Sequence, residues 1–202
     1  MIYLIGGAPR CGKTILATKL SKKYNLPFLS TDTLRSLIIS FLPRKKINKL
    51  MPFQINGSER MTPQQSLRAE LREAKTMWCG LEALIKKLAD MKQNYIIDGT
   101  PLCPKYVVTL QKSKYQNSIK SIFLIKENYQ KILNYLNKNI PPSDWLSPHL
   151  KNKKLMQNIA KMVMTKSAHI KKEANKYNFL IKNTDTYFNK TINELVDKKL
   201  SL

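Results

Sequence analysis

Several things are scarce in this chain of 202 residues. Its three cysteines, Cys11, Cys79 and Cys103, are widely spaced and odd in number, which argues against a disulfide framework and offers no zinc spacing. No apolar run approaches the roughly 20 residues a membrane span needs. Tyr3 to Ile5 is too short for the apolar region of a signal peptide, and Gly6-Gly7 interrupts it. Acidic residues are few, 13 against 36 Lys+Arg, giving a formal net charge of +23. That excess points either to a nucleic-acid partner or only to a lysine-heavy composition, since 30 of the basic residues are lysine. Aromatic residues make up 8%, yet hydrophobic residues reach 43%, so the chain is globular rather than disordered. The expectation is a reduced, cytoplasmic protein without a membrane partner, with length for one α/β domain.

Along the chain, short apolar runs alternate with helical patterns. Ile2 to Ile5, Pro27 to Leu29, Asn94 to Asp98, Ser121 to Ile125 and Asn178 to Ile181 read as five strands. Helices are expected over about 13–23, from Thr31 or Asp32 to Phe41, over about 63–91, near 127–136, over 151–177 and at the end of the chain. Residues 42–63 carry Pro43, Pro52, Gly57 and Pro63 and read as an irregular insertion. Five apolar strands separated by helices imply a parallel sheet covered on both faces.

Glycine is also scarce, and half of the six fall at Gly6, Gly7 and Gly12. Gly7-Ala8-Pro9-Arg10-Cys11-Gly12-Lys13-Thr14 is a full G-x-x-x-x-G-K-[ST] phosphate loop between a strand and a helix. Its backbone N–H groups turn inward around phosphate oxygens, and the helix that follows adds the positive end of its dipole. Lys13 then reaches the β and γ phosphates, and Thr14 offers a hydroxyl to Mg2+. A nucleoside triphosphate is the expected ligand. Arg10 either contacts the γ phosphate and stabilises transferred charge or is a solvated loop residue; Cys11 reads as a small filler.

A phosphate-loop enzyme needs a carboxylate near Mg2+ at the end of another buried strand, and Asp98 stands there. Asp32 ends the second strand, where it can take a proton from an acceptor hydroxyl or cap the next helix. Arg35, three residues on, suits capture of an anionic group.

Leu29-Ser30-Thr31-Asp32-Thr33-Leu34-Arg35 resembles the Asp-x-Leu-Arg segment of adenylate kinases, whose arginine holds the acceptor phosphate. Tyr95 to Leu102 resembles that family's Asp-Gly-Phe-Pro-Arg strand end, but Leu102 replaces the second acceptor arginine, which argues against AMP as acceptor. A closer likeness is to 2-phosphoglycerate kinase-like proteins, which pair Asp-x-x-Arg with an acidic-Gly turn, here Asp98-Gly99 leading to Pro104. The resemblance is best over about residues 1–38 and 94–104. It implies a P-loop NTPase three-layer α/β sandwich of one domain, 1–202, with an acceptor-side insertion at about 42–76 and a small helical lid at about 138–154. It implies ATP and Mg2+ as cofactors and Gly99 as part of the acceptor side.

All six arginines lie between positions 10 and 72. Arg68 and Arg72 are spaced i, i+4, and with Arg35 they could form a forked set for a phosphate or carboxylate, or pair with Glu70 and Glu73 on a solvated face. The lid offers only Lys138, Lys151, Lys153 and Lys154. Lys166 lies in the apolar stripe of the 151–177 helix and is expected to snorkel to solvent. Trp145 reads as a packing residue or a lid wedge, and His149 and His169 as surface residues. The expected function is an ATP-dependent kinase of a small anionic metabolite or nucleotide. Alternatives are a kinase of nucleic acid ends, which lacks an aromatic stacking platform, and a non-catalytic nucleotide-binding switch. The acceptor, ATP over GTP and the oligomeric state stay open.

Overall fold

The computed structural model describes residues 1–52, 61–138, 140–142, 144 and 146–198. Trp145 lies outside them. The strands are β1 (Ile2–Gly7), β2 (Phe28–Ser30), β3 (Tyr95–Asp98), β4 (Ile119–Ile125) and β5 (Leu180–Asn183), all parallel in the order β2-β3-β1-β4-β5. This is the five-stranded α/β sheet that the sequence predicts. β1 runs at the centre with every residue buried, as a strand covered on both faces requires. Its register sets Ile5 beside Asp98 and Gly7 beside Leu124, and β2 sets Ser30 beside Asp98. The phosphate loop, Ser30 and Asp98 therefore share one level at the carboxyl ends of the strands, where open parallel sheets place ligands.

The helices are α1 (Lys13–Tyr24), α2 (Thr31–Phe41), α3 (Arg44–Leu50), α4 (Pro63–Asp90), α5 (Pro104–Gln111), α6 (Tyr129–Lys138), α7 (Lys153–Lys176) and α8 (Phe188–Asp197). α1 packs on β1, β2, β3 and α8, while α7 packs on α4, α5, α6, β4 and β5. α4 begins at a capping box in which Thr62 accepts from Gln65 N–H and the Gln65 side chain accepts from Thr62 N–H. The cap of α2 is Ser30, whose hydroxyl accepts from Asp32 N–H, so neither Thr31 nor Asp32 has that task. Two helices differ from expectation. α3 forms within the segment expected to be irregular, starting directly after Pro43, and α5 starts with Pro104 in its first turn, burying Val107 and Leu110.

Candidate active site

The phosphate loop turns between β1 and α1 with Gly12 at φ +92°, a conformation L side chains rarely adopt; a Cβ there would also stand 2.6 Å from the Phe188 ring. No side chain caps α1, so its first N–H groups are left for a ligand. Lys13 is buried and spans the loop, its Nζ donating to Ala8 O at 2.8 Å. Burial lowers its pKa, against the raising pull of the Asp98, Asp32 and Glu70 carboxylates. Thr184 Oγ1 supports the loop from below by donating to Cys11 O at 3.0 Å. Cys11 is fully buried, which pushes its thiol up to about 11, so it is a filler and not a thiolate.

Thr14 Oγ1 donates to Asp98 Oδ2 at 2.8 Å, which joins the start of α1 to the end of β3. Asp98 is 1% exposed, and burial raises its pKa. Its other oxygen, Oδ1, is buried and accepts no hydrogen bond among the described residues. A hydroxyl and a carboxylate with an unused oxygen are the hard oxygen donors Mg2+ takes. No group of three or more His, Cys, Asp or Glu gathers among the described residues. The donor set therefore fits an ion held largely by phosphates and water rather than by a protein cage.

Next to Asp98, Gly99 has φ +152°, and a Cβ there would fall 1.6 Å from Thr31 Oγ1. Only glycine lets β3 turn this close to α2. Asp32 is exposed at the rim of the same cleft, and Arg35 lies beneath it. Arg35 Nη1 donates to Asp32 Oδ1 at 2.7 Å and Nη2 to Thr100 Oγ1 at 3.4 Å, while Nε stands 3.4 Å from Glu73 Oε2.

One cavity of about 780 Å³ connects these groups. Pro9, Arg10, Gly12, Lys13 and Thr14 line its loop side; Asp32, Arg35, Glu70, Asp98, Gly99 and Thr100 line the other; Ile159, Met162 and Val163 of α7 form an apolar wall. Arg10 does not lie loose in solvent. Its Nη1 and Nη2 donate to Asp144 Oδ2 and Oδ1 at 2.5 and 2.8 Å, which ties the phosphate loop to the connection between α6 and α7. The Arg10 hydrogen bonds hold the Asp144 carboxyl below the usual range, and the Leu146 N–H adds to this.

Arg68 and Arg72 are exposed and are not among the cavity-lining residues. A helix advances about 100° per residue, so the face of α4 that buries Glu70 and Glu73 turns Arg68 and Arg72 away. Lys166 does not snorkel. It is 1% exposed, with Nζ 3.3 Å from Glu70 Oε2. Burial opposes its charge, but the Glu70 and Glu173 carboxylates outweigh that, and its pKa is raised. Glu70, Glu73, Thr100 and Asp144 are the polar site neighbours that sequence reasoning missed. For Glu70 and Glu73 the signal was present, because both share the buried stripe of Ser66, Ala69, Ala74 and Met77.

No family model matches the chain. Over 133 residues it is 27% identical to the adenylate kinase of Pyrococcus horikoshii, covering 63% of this chain and 53% of that protein. Over 132 residues it is 27% identical to the adenylate kinase of Pyrococcus abyssi, with the same shares. Of the solved structures, a shikimate kinase from Bacteroides thetaiotaomicron superposes with a TM-score of 0.55 at 16% identity, covering 98% of this chain and 96% of that one. This is the α/β P-loop NTPase fold. A gluconokinase from Sinorhizobium meliloti 1021 shares that fold, with a TM-score of 0.56 at 14% identity, over 96% of this chain and 89% of that one. The chain spans about half the length of the adenylate kinases it matches. Among the described residues, no helix is long and apolar enough to cross a membrane.

Proposed function

We propose that the protein is a cytoplasmic phosphotransferase that moves the γ-phosphoryl group of ATP to a hydroxyl of a small molecule. The observation that carries this reading is the continuity of one cavity from Lys13, Thr14 and Asp98 to Asp32 and Arg35. A donor side and an acceptor side thus face each other without a wall between them. A nucleotide-binding switch has no need of the second side.

The loop N–H groups and Lys13 bind the β and γ phosphates, and their charge is worth more in this partly buried cleft than in water. Thr14 and Asp98 would hold Mg2+ together with the phosphates, and the ion would supply positive charge against the transferring group. Asp32 orients the acceptor hydroxyl and takes its proton as its oxygen bonds to the γ phosphorus and the bond to ADP breaks. Arg35 keeps Asp32 in place through the Nη1 bond. Arg10, fixed by Asp144, presents its positive charge at the loop side of the cavity. It stands where the arginine-free lid of 138–154 would otherwise leave none.

Radiolabelled ATP offered with pooled metabolites tests the reading. Label is expected in small phosphorylated products, with loss of transfer in Lys13→Ala and a fall of about 10²-fold or more in Asp32→Asn. Transfer unchanged in Asp32→Asn would remove that residue from the reaction. Unchanged ATP binding in Lys13→Ala would overturn the whole reading.

A further inference from the structure

We propose that Glu73 is a positioning residue for phosphoryl transfer, acting on the acceptor hydroxyl through Arg35 and Asp32. This rests on the kinase reading for the part played by Asp32. The Asp32 side chain is 75% exposed at the cavity rim, and its Oδ1 accepts from Arg35 Nη1 at 2.7 Å. An exposed carboxylate turns freely among its rotamers in water, so its aim depends on what holds the guanidinium. Arg35 is gripped along its other edges. Its Nη2 donates to Thr100 Oγ1 at 3.4 Å, and its Nε stands 3.4 Å from Glu73 Oε2. A guanidinium is planar and rigid, so fixing Nε and Nη2 leaves Nη1 a single direction. That direction is toward Asp32.

Glu73 is placed to act through Arg35 and not directly. It is 1% exposed on α4 and is not among the residues that line the cavity, whereas Asp32, Arg35 and Thr100 all line it. Neither Glu73 Oε2 nor Arg35 Nε reaches solvent, so their attraction is screened far less than that of a surface pair. Burying a carboxylate this deeply costs solvation, which the nearby guanidinium offsets. The order Glu73, Arg35, Asp32 is that of a base oriented by a second group, which a third group holds in turn. It runs from the buried face of α4 through α2 to the cavity rim. The aim of an exposed side chain is thereby set from the inside of a long helix.

The test follows label leaving radiolabelled ATP, for pooled small metabolites or for water, in wild type, Glu73→Gln, Asp32→Asn and the double variant. A dilution series of the pool separates kcat from the apparent KM. Glu73→Gln should lower kcat about tenfold, while that KM and the Kd of a non-hydrolysable ATP analogue stay as in wild type. Added to Asp32→Asn it should cost nothing further, because its route to the reaction is already cut. A second measurement needs no chemistry and no folded Glu73 variant. In protein isotopically labelled at arginine Nε, the Arg35 N–H signal, assigned by its loss in Arg35→Lys, should exchange slowly with water in wild type and in Asp32→Asn alike. Fast exchange in either would overturn the proposal. So would an unchanged kcat, additive losses in the double variant, which mark a merely structural role, or a raised KM with kcat intact, which marks an Arg35 that grips the acceptor. A wild type that releases no label defeats the kinase reading and this proposal with it; additive losses in a protein that transfers label defeat this proposal alone.

Discussion

Asp98 shows at what cost a single carboxylate is held in a buried position. Burial raises its carboxyl pKa above the ordinary carboxylate value, so the folded state holds the proton more tightly than the unfolded chain does. The sign follows: folding stability falls as pH rises from the unfolded value through the folded one, and the ionised form is a burden at neutral pH. Asp98→Asn is therefore expected to raise the melting temperature of the ligand-free protein at pH 7 while abolishing Mg2+-dependent phosphoryl transfer. Thermal denaturation with and without Mg2+ and ATP checks both halves, since the stabilisation by Mg2+ should vanish in the variant. Asp144 has the opposite sign. Its hydrogen bonds from Arg10 lower its pKa, so its contribution is present above the unfolded value and is lost as pH falls through the folded one. Asp144→Asn should cost about 1 kcal/mol at neutral pH, or a melting-temperature drop of about 2–4 °C. The difference from wild type should close in acid. If it persists there unchanged, the ion pair is not its source.

At the scale of elements, the turn from β3 toward α5 and the start of α2 are fitted to each other through Gly99 and Thr31. Gly99→Ala combines an unfavourable φ with a Cβ inside the radius of Thr31 Oγ1, so α2 must move, and Asp32 and Arg35 with it. A loss of about 3 kcal/mol or more is expected, read by chemical denaturation, with activity lost even where the fold survives. Wild-type stability in this variant would show that the contact relaxes freely. The same scale explains what was legible. The five strands and the long helices follow from hydrophobic period, and the phosphate loop from contiguous residues whose chemistry needs that spacing. α3 was hidden because prolines around it read as interruptions. Glu70, Glu73 and Lys166 all lie in apolar stripes, but charge on an amphipathic helix ordinarily marks the wet face, so their burial was not read from them. Here two helices, α4 and α7, bury opposite charges against each other, and neither pattern alone reveals the partner.

For the whole molecule, the excess of +23 is carried mostly by lysines, and the cavity itself is close to balanced in charge. The positive charge therefore belongs to the outer surface and not to the site. Oligonucleotides are expected to bind weakly, without displacing ATP, and to dissociate as salt rises because binding by surface lysines is counterion release. An oligonucleotide with a free 5′ hydroxyl should take up no label. Tight, salt-resistant binding or end-labelling would move the function to nucleic acid. The sequence by itself determined the parallel α/β sheet, the phosphate loop and the places of Lys13, Thr14, Asp32 and Asp98, because each is written in a short contiguous stretch. Only the tertiary structure decided that Arg10 meets Asp144 of the connection between α6 and α7, that Arg35 is held between Asp32 and Glu73, and that Glu70 pairs with Lys166. The physical reason is that charge balance in a cleft is summed over elements far apart in the chain, so no local pattern carries it.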